Sequence, residues 1–587
     1  MTETTGQGTH QNVDEPTDGG SEARPAGNFA WRSAYPRNVA WDQTFTPQPL
    51  YRLLDDAAEH HATATCTNFF GRKTTYGEIA GEVNRVAAGL QRLGVTKGDK
   101  VGLFLPNCPA FIVYYYAILK AGGIVVNYNP LYTVEELAFQ VRDSTTRLMV
   151  TLDLEVLFSK VDALMISGVL QRAIVVSFPR QLPSAKSVLF KLFKSREIAA
   201  VSRSPAADRV IFESQLTQGA ATLAPVAIDA TRDIAVLQYT GGTTGTPKGA
   251  MLTHANAYIN VLQVVSWAPE LRMAEERVMG VLPFFHVFAM TVVMNFGIAR
   301  AAEIIIMPRF VLNDAMKLID KTKPTVMPGV PTLFNAIMNH PKLKSYDLSS
   351  LKFCLSGGAA LPLEVKQRFE RLTGCKVVEG YGLSETSPVA TCNPLDGPVK
   401  EGSIGQPLPH TILTLRALDD PTREAMIGET GEICIAGPQV MQGYWNKPEE
   451  TANVFIDGFL RTGDVGHMDD EGFFFITDRI KDLIICSGYN VYPRRIEEAI
   501  YEHPAVEEVT VIGIPDQYRG EAPKAFIKLK TDQVAVKADI MRHLEPKLSR
   551  IEMPADIEFR DSLPKTMIGK LSKKELKQEE AARHNKV

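Results

Sequence analysis

The chain has 587 residues, 45% hydrophobic and 22% charged, a globular balance with enough apolar mass for more than one packed unit. Its formal net charge of −4 provides no basic field, which speaks against wholesale nucleic-acid binding through phosphate neutralisation. The seven cysteines (Cys66, Cys108, Cys354, Cys375, Cys392, Cys434 and Cys486) are scattered and never spaced C-x-x-C. They indicate neither a disulfide framework nor a zinc site, and they fit a reducing cytoplasm.

Residues 1–28 are polar, acidic and rich in Gly and Pro, which predicts a disordered tail, and they lack the basic-then-apolar pattern of a secretory signal. Beyond them, helical and strand patterns alternate. Val83, Val86, Leu90 and Leu93 share a helical face that Gly94 ends, and VGLFLP from Val101 reads as a buried strand. PAFIVYYYAILKAGG (helix), GIVVNYN (strand), VEELAFQVRDS (helix) and RLMVTL (strand) follow. This alternation predicts an α/β fold of parallel sheets covered on both faces by helices.

Residues 184–196, SAKSVLFKLFKSR, set Val188, Leu189, Leu192 and Phe193 among Lys186, Lys191, Lys194 and Arg196. A helix lying on an anionic membrane surface and a surface helix docked on its own domain both fit that pattern. Residues 281–299 approach bilayer-spanning length, but Pro283, His286 and Asn295 interrupt them. A strand and helix buried in a large core, or the lining of an apolar channel, are the readings left. Near residues 478–482 the pattern turns to a charged connector, followed by a shorter unit around the strand VTVIGIP. The expected division is a tail at 1–28, a large domain at 29–478, a hinge at 479–482 and a small domain at 483–587.

Four segments carry candidate chemistry. In LQYTGGTTGTPKG, residues 237–249, a strand runs into a loop holding Thr240, Gly241, Gly242, Thr243, Thr244, Gly245 and Lys248. Such a loop can wrap a phosphate with amides, hydroxyls and an ammonium; the alternative is a flexible surface loop. The Walker spacing G-x-x-x-x-G-K-[ST] is absent. EGYGLSETSP, residues 379–388, offers Tyr381 to stack on a base and Glu385 as a hard oxygen ligand for Mg²⁺. Asp464 can accept from both ribose hydroxyls and Arg479 can donate to sugar or phosphate, although surface turns with ion pairs read the same way. Lys570, in LPKTMIGK, taken alone reads as a solvated surface charge.

In order, LQYTGGTTGTPKG, LPFFHVFAM, PGVPTLF, LSGGAALP, EGYGLSETSP, GEICIAGPQVMQGYW, LRTGDVG, DRIKDLIICSGYNVYPRRIEE and LPKTMIGK resemble the adenylate-forming superfamily over roughly residues 29 to 576. That superfamily includes acyl-CoA synthetases, firefly luciferase and peptide-synthetase adenylation domains. VVNYNPLYTVEEL, the double glycine of YTGGTTG, and GSIGQPLP look most like bacterial long-chain fatty acid–CoA ligases. The resemblance implies a large N-terminal domain with a small β-barrel-like part, and a small mobile α+β C-terminal domain. It implies ATP-dependent ligation of a fatty acid to coenzyme A through an acyl adenylate, with Mg²⁺, ATP and coenzyme A as cofactor and cosubstrates.

Carried over motif by motif, the Thr240–Lys248 loop holds the phosphates, Thr240 and Glu385 hold Mg²⁺, and Lys570 bridges the carboxylate and the α-phosphate. Adenine lies between Ser356-Gly357-Gly358 and Glu379-Gly380-Tyr381, ribose on Asp464 and Arg479, and His286 beside the acyl carboxylate; a satisfied core histidine is the alternative. Lys481 is the hinge about which the C-terminal domain rotates to bring Ser487, Gly488 and Tyr489 over the adenylate for coenzyme A. Phe284, Phe285, Val287, Met290, Val330 and Phe334 are acyl-channel candidates, each equally readable as core. Two departures stand out: no tryptophan gate near Met290, and Lys573 and Lys574 where an arginine is usual, which removes a planar fork.

The rival readings are a ligase for medium-chain or aryl acids, a peptide-synthetase module, for which no carrier domain is expected after Lys570, and luciferase-type oxidation. From a different class comes a non-catalytic fatty-acid binding or uptake protein. The expected location is the cytoplasm, with peripheral contact on the inner membrane surface and, by resemblance, a homodimer.

Overall fold

The computed structural model describes residues 29–219, 222–240, 247–487, 489–566 and 569–584. The expected tail at 1–28 lies outside the described residues, as do Gly241, Gly242, Thr243, Thr244, Gly245 and Gly488. Among those described, four sheets form. In the seven-stranded sheet, Val210–Phe212, Arg172–Val176, Leu148–Leu152, Lys100–Phe104, Ile124–Asn127 and Ile234–Thr240 run parallel, with Lys248–Thr253 antiparallel at the edge. The nine-stranded sheet has a parallel centre of Thr65–Phe69, Glu303–Ile306, Arg277–Gly280, Val326–Gly329, Phe353–Ser356 and Lys376–Gly382.

Local sequence explains the alternation. The helix Tyr76–Arg92 starts on a capping box in which Thr75 and Glu78 satisfy each other's backbone amides, and it ends before Gly94 at φ +89°. Val83, Val86 and Leu90 of its apolar face are fully buried. Thr133 with Glu136 starts Val134–Ser144 in the same manner, and Thr253 with Asn256 starts His254–Trp267. The helix Pro109–Lys120 is apolar all round and accordingly lies in the core, with Phe111, Tyr114, Tyr115 and Tyr116 fully buried.

Residues 281–299 form no long straight helix. Val287–Ala289 leads into a π-helical stretch Met290–Asn295, then Phe296–Ala299. Within the π stretch the Thr291 hydroxyl donates to the Ser387 carbonyl at 2.7 Å, and Asn295 Oδ1 accepts from Tyr116 at 2.8 Å, so its polar groups are satisfied inside the core. No described helix is long and apolar enough to cross a membrane.

The small β-barrel-like part corresponds to a five-stranded antiparallel sheet, Ile412–Ala417, Gly431–Ala436, Phe455–Ile456, Phe459–Met468 and Phe474–Arg479. It has its own core around Leu413, Ile433, Ile435, Phe474 and Trp31. From Ile484 onward a smaller α+β unit takes over. Ile484–Cys486, Tyr489–Val491, Val506–Asp516, Gly520–Leu529 and Asp556–Phe559 pair as one sheet, with a separate core including Val491, Ile496, Val511, Ile527 and Leu544.

Polar contacts fasten this unit to the large one. Asp478 Oδ2 accepts from the Arg494 backbone amide at 2.9 Å and Lys577 pairs with Asp482 at 3.0 Å, while Lys573, paired with Glu497 of its own unit at 3.0 Å, also feels the charges of Asp478 and Asp482. The Thr332 hydroxyl donates to the Gly569 carbonyl at 2.7 Å. The lysine at 573 therefore keeps a cationic role, at the junction.

Candidate active site

The strands flanking the segment expected to wrap phosphate pair as a hairpin. Strand Ile234–Thr240 returns as Lys248–Thr253 with Thr240 opposite Lys248, so the ends of the loop converge and its hydroxyl and ammonium share one rim. Lys248 pairs with Glu450 and lies over the Tyr444 ring, 5.2 Å from its centroid. The Tyr444 hydroxyl donates to Glu385 Oε1 at 2.7 Å, and the Met441 amide donates to the Glu385 carbonyl at 2.8 Å. Thr240, Lys248, Tyr444 and Glu385 thus form one continuous cluster. Sequence reasoning did not single out Tyr444, though it lies in the quoted GYW segment; its 59-residue separation from Glu385 concealed the pairing.

Asp464 and Arg479 face each other across the hairpin of Phe459–Met468 and Phe474–Arg479. Arg479 Nε donates to Asp464 Oδ1 at 2.7 Å and the Tyr381 hydroxyl donates to Oδ2 at 2.6 Å. Asp464 is only 2% exposed, so its carboxylate accepts both bonds away from water, while the Arg479 side chain stays partly exposed. The Asp464 charge holds the Arg479 guanidinium above its ordinary range, and burial, then Asp464, push the Tyr381 phenol well up. Tyr381, expected to stack on a base, commits its hydroxyl to the Asp464 carboxylate.

The C-terminal unit delivers Lys570 to the same place. A Cβ built on Gly358, at φ +78°, would stand 2.9 Å from Lys570 Cε, so the lysine stem lies across a glycine that has no room for a side chain. Gly569, at φ +81°, likewise leaves only 2.9 Å to the Thr332 hydroxyl. Desolvation, then the positive charges of Arg479 and Lys481 against the pull of Asp464, lowers the Lys570 ammonium to about 8. His286 is close enough to feel Lys570: burial, then that charge, pushes its imidazolium down to about 3, so the ring is neutral. Its Nδ1 accepts from the Phe288 backbone amide at 3.3 Å, which puts the proton of the neutral ring on Nε2.

The two expected adenine segments are adjacent strand ends. Ser356 pairs in register with Glu379, and a Cβ on Gly357 would stand 3.3 Å from the Gly380 carbonyl and 2.8 Å from the Phe288 ring. Glu379 Oε1 accepts from the Leu361 amide at 3.2 Å, and burial pushes this carboxyl up to about 7.

Among the acyl candidates, Val330 stands beside Gly358 and Gly569, and the Phe285 carbonyl accepts from Gln238 at 3.1 Å. Val287 and Met290 are buried at the start of the helical run, where Met290 Sδ accepts from Asn127 at 3.5 Å. Phe284 packs edge-on to Phe111 at 5.8 Å, and Phe334 edge-on to Phe369 at 5.0 Å, both fully buried as core. A separate small apolar cavity lies between Val264, Trp267, Val292, Phe296, Leu355 and Val378, and none of the six candidates Phe284, Phe285, Val287, Met290, Val330 and Phe334 lines it. Lys481, Ser487 and Tyr489 are exposed; Ser487 sits in a turn at φ +54°, its amide donating to the Arg519 carbonyl at 2.7 Å.

An aspartate–arginine pair with a lysine from a second unit in electrostatic reach of it is a charge arrangement suited to a nucleotide and to developing negative charge. Residues 54–445 match the AMP-binding enzyme family and residues 495–570 match the AMP-binding enzyme C-terminal domain, and the chain belongs to that family. It is 45% identical to a long-chain-fatty-acid–CoA ligase of Bacillus subtilis, across 94% of this chain and 99% of that protein. It is 37% identical to the ligase of the same description from Escherichia coli O157:H7, across 94% and 98%. Among solved structures, ATP-bound MatB from Rhodopseudomonas palustris aligns with a TM-score of 0.78 at 28% identity, covering 91% of this chain and 99% of that one. The anthranilate CoA ligase AuaEII in complex with anthranoyl-AMP aligns at 0.78 and 25%, covering 92% and 99%.

Proposed function

We propose that the protein ligates a long-chain fatty acid to coenzyme A in two steps, using ATP and releasing AMP and pyrophosphate. The observation that carries this reading is Lys570 of the second unit lying across Gly358 of the first, within electrostatic reach of Asp464, Arg479 and His286. In the first step a carboxylate oxygen attacks the α-phosphorus, the bond to the β-phosphate oxygen breaks, and pyrophosphate leaves. Two anions must approach each other, so fixed cations and donors lower the barrier. Lys570 bridges the carboxylate and the α-phosphate, the neutral His286 donates from Nε2 to the carboxylate, and Lys248 with its loop holds the departing phosphates. Asp464 and Arg479 hold the ribose, and adenine lies between residues 356–358 and 379–381.

Thr240 and Glu385 fit Mg²⁺. Both are hard oxygen donors, and Glu385 keeps Oε2 beyond its bond to Tyr444; one carboxylate suits an ion that takes most of its other ligands from phosphate and water. Bound there, the ion neutralises phosphate charge. Glu385→Gln is expected to raise the Mg²⁺ concentration needed for half-maximal AMP release by roughly 10- to 100-fold, the scale seen when a metal site loses a supporting group. A Mg²⁺ titration reads this directly, and an unchanged midpoint would move the ion elsewhere.

In the second step the thiol releases its proton to solvent, its sulfur attacks the acyl carbon and AMP departs with the C–O bond electrons. Rotation about Lys481 withdraws Lys570 and brings Ser487 and Tyr489, with the intervening glycine, to the cleft. The acyl tail extends from beside Val330 and His286 along buried apolar side chains, where each buried methylene contributes about 0.8 kcal/mol. Burial of that kind rewards a long apolar tail. Such a substrate is stored in lipid, which supports action against the inner membrane surface.

The test is AMP release by the purified protein with Mg-ATP across acids from acetate to oleate, with and without coenzyme A, and products identified by mass. Maximal thioester formation is expected with the long chains. Maximal turnover with aryl or short acids would replace the substrate, and fatty-acid binding without adenylate would replace the enzyme reading.

A further inference from the structure

The helix Ser184–Phe193 rests on the protein with none of its ten residues buried. Phe190 holds it down, edge-on to Phe178 at 5.1 Å. The opposite face points outward: Val188 is 57% exposed, Leu189 52%, Leu192 68% and Phe193 81%. At about 100° per residue, these four fall within one arc of roughly 140°, with Lys186 just past one edge and Lys191 past the other. Phe70, itself 44% exposed, adjoins the stripe, because the Lys186 ammonium donates to its carbonyl at 3.0 Å and lies 5.3 Å from its ring centroid.

A contiguous apolar stripe of this kind marks an interaction surface, and its charge narrows the partner. Residues 180–203 carry Arg180, Lys186, Lys191, Lys194, Arg196 and Arg203 against one acid, Glu197, in a chain whose net charge is −4. A second copy in a two-fold arrangement would set this basic band against itself. Protein interfaces also exclude lysine from their centres. Lysines flanking bulky apolar side chains instead suit a headgroup boundary, where aliphatic stems lie along the acyl region and ammonium groups reach phosphate.

We propose that this face docks on an anionic phospholipid bilayer. Val188, Leu189, Leu192 and Phe193 enter the headgroup–acyl boundary, and Lys186, Lys191 and Arg196 meet lipid phosphates. The contact is reversible, a single amphipathic helix in the plane of the interface. It stands on the geometry of residues 180–203 and does not depend on the ligase reading.

The experiment is flotation of the full-length protein with vesicles of phosphatidylcholine alone or mixed with phosphatidylglycerol. Binding is expected to the mixed vesicles and to weaken as salt rises. Lys186→Glu with Lys191→Glu lowers the partition coefficient at least tenfold, at roughly fivefold per lost cation. Leu192→Asp with Phe193→Asp removes binding, and both double variants keep the wild-type melting temperature and, if the ligase reading holds, the wild-type rate on soluble octanoate. No wild-type binding, binding indifferent to phosphatidylglycerol, or full binding by Leu192→Asp/Phe193→Asp would overturn the proposal. So would a sedimenting dimer that this double substitution converts to monomer, since the face would then belong to a second copy.

Discussion

Replacing Lys570 by Met is expected to reduce acyl-adenylate formation by roughly 10²–10³-fold, the scale of losing one fixed charge-stabilising donor at a reacting centre. Methionine keeps an unbranched stem to lie over Gly358 and removes only the cation. Thioester formation from synthetic acyl adenylate should stay near the wild-type rate, because that step is assigned to the rotated arrangement. Equal loss in both half-reactions would show instead that the substitution disrupts the docking of the C-terminal unit. The pH profile separates the two independently. With the ammonium lowered to about 8, kcat/KM for adenylation should fall as pH rises through about 8, where an unperturbed lysine would stay charged beyond 10. Lys570→Arg, charged throughout, should move that falling limb to higher pH. His286, pushed down to about 3, should contribute no rising limb between pH 5 and 7.

Much of the scaffold was legible because local signals and tertiary demand agree. The segment VEELAFQVRDS is the observed helix Val134–Ser144, because Thr133 and Glu136 form a capping box ahead of an apolar face. Long-range partners were not legible. Nothing near Glu385 announces Tyr444, and the position of Lys570 depends on Gly358 and on the Thr332–Gly569 contact, 237 residues apart along the chain. Apolar residues were also ambiguous: Phe334 packs on Phe369 while Val292 and Phe296 line the cavity, and hydrophobicity alone does not distinguish a wall from a filling. For Ser184–Phe193, amphipathic spacing established a helix, but only its exposure decided which face turned outward.

Asp464→Asn tests the other half of the cleft. Asparagine preserves the size of a side chain that is 2% exposed but removes the charge to which Arg479 and Tyr381 both donate. One of the two carboxylate oxygens becomes an NH₂ group, which cannot accept, so either the guanidinium or the phenol faces another donor. The effect on folding is limited, because the Arg479 side chain is 43% exposed and water can replace part of what it loses. The effect on ATP use is larger. Hydrogen bonds to a charged group contribute about 1.5–3 kcal/mol each, so losing the carboxylate that would accept from two ribose hydroxyls predicts a drop of roughly 10²–10⁴-fold in kcat/KM for ATP. Because the interaction positions the nucleotide and does not touch the acid, KM for the fatty acid should change little. An unchanged ATP dependence would place the ribose away from Asp464, and a parallel collapse of melting temperature and activity would make the pair a structural element of the five-stranded sheet.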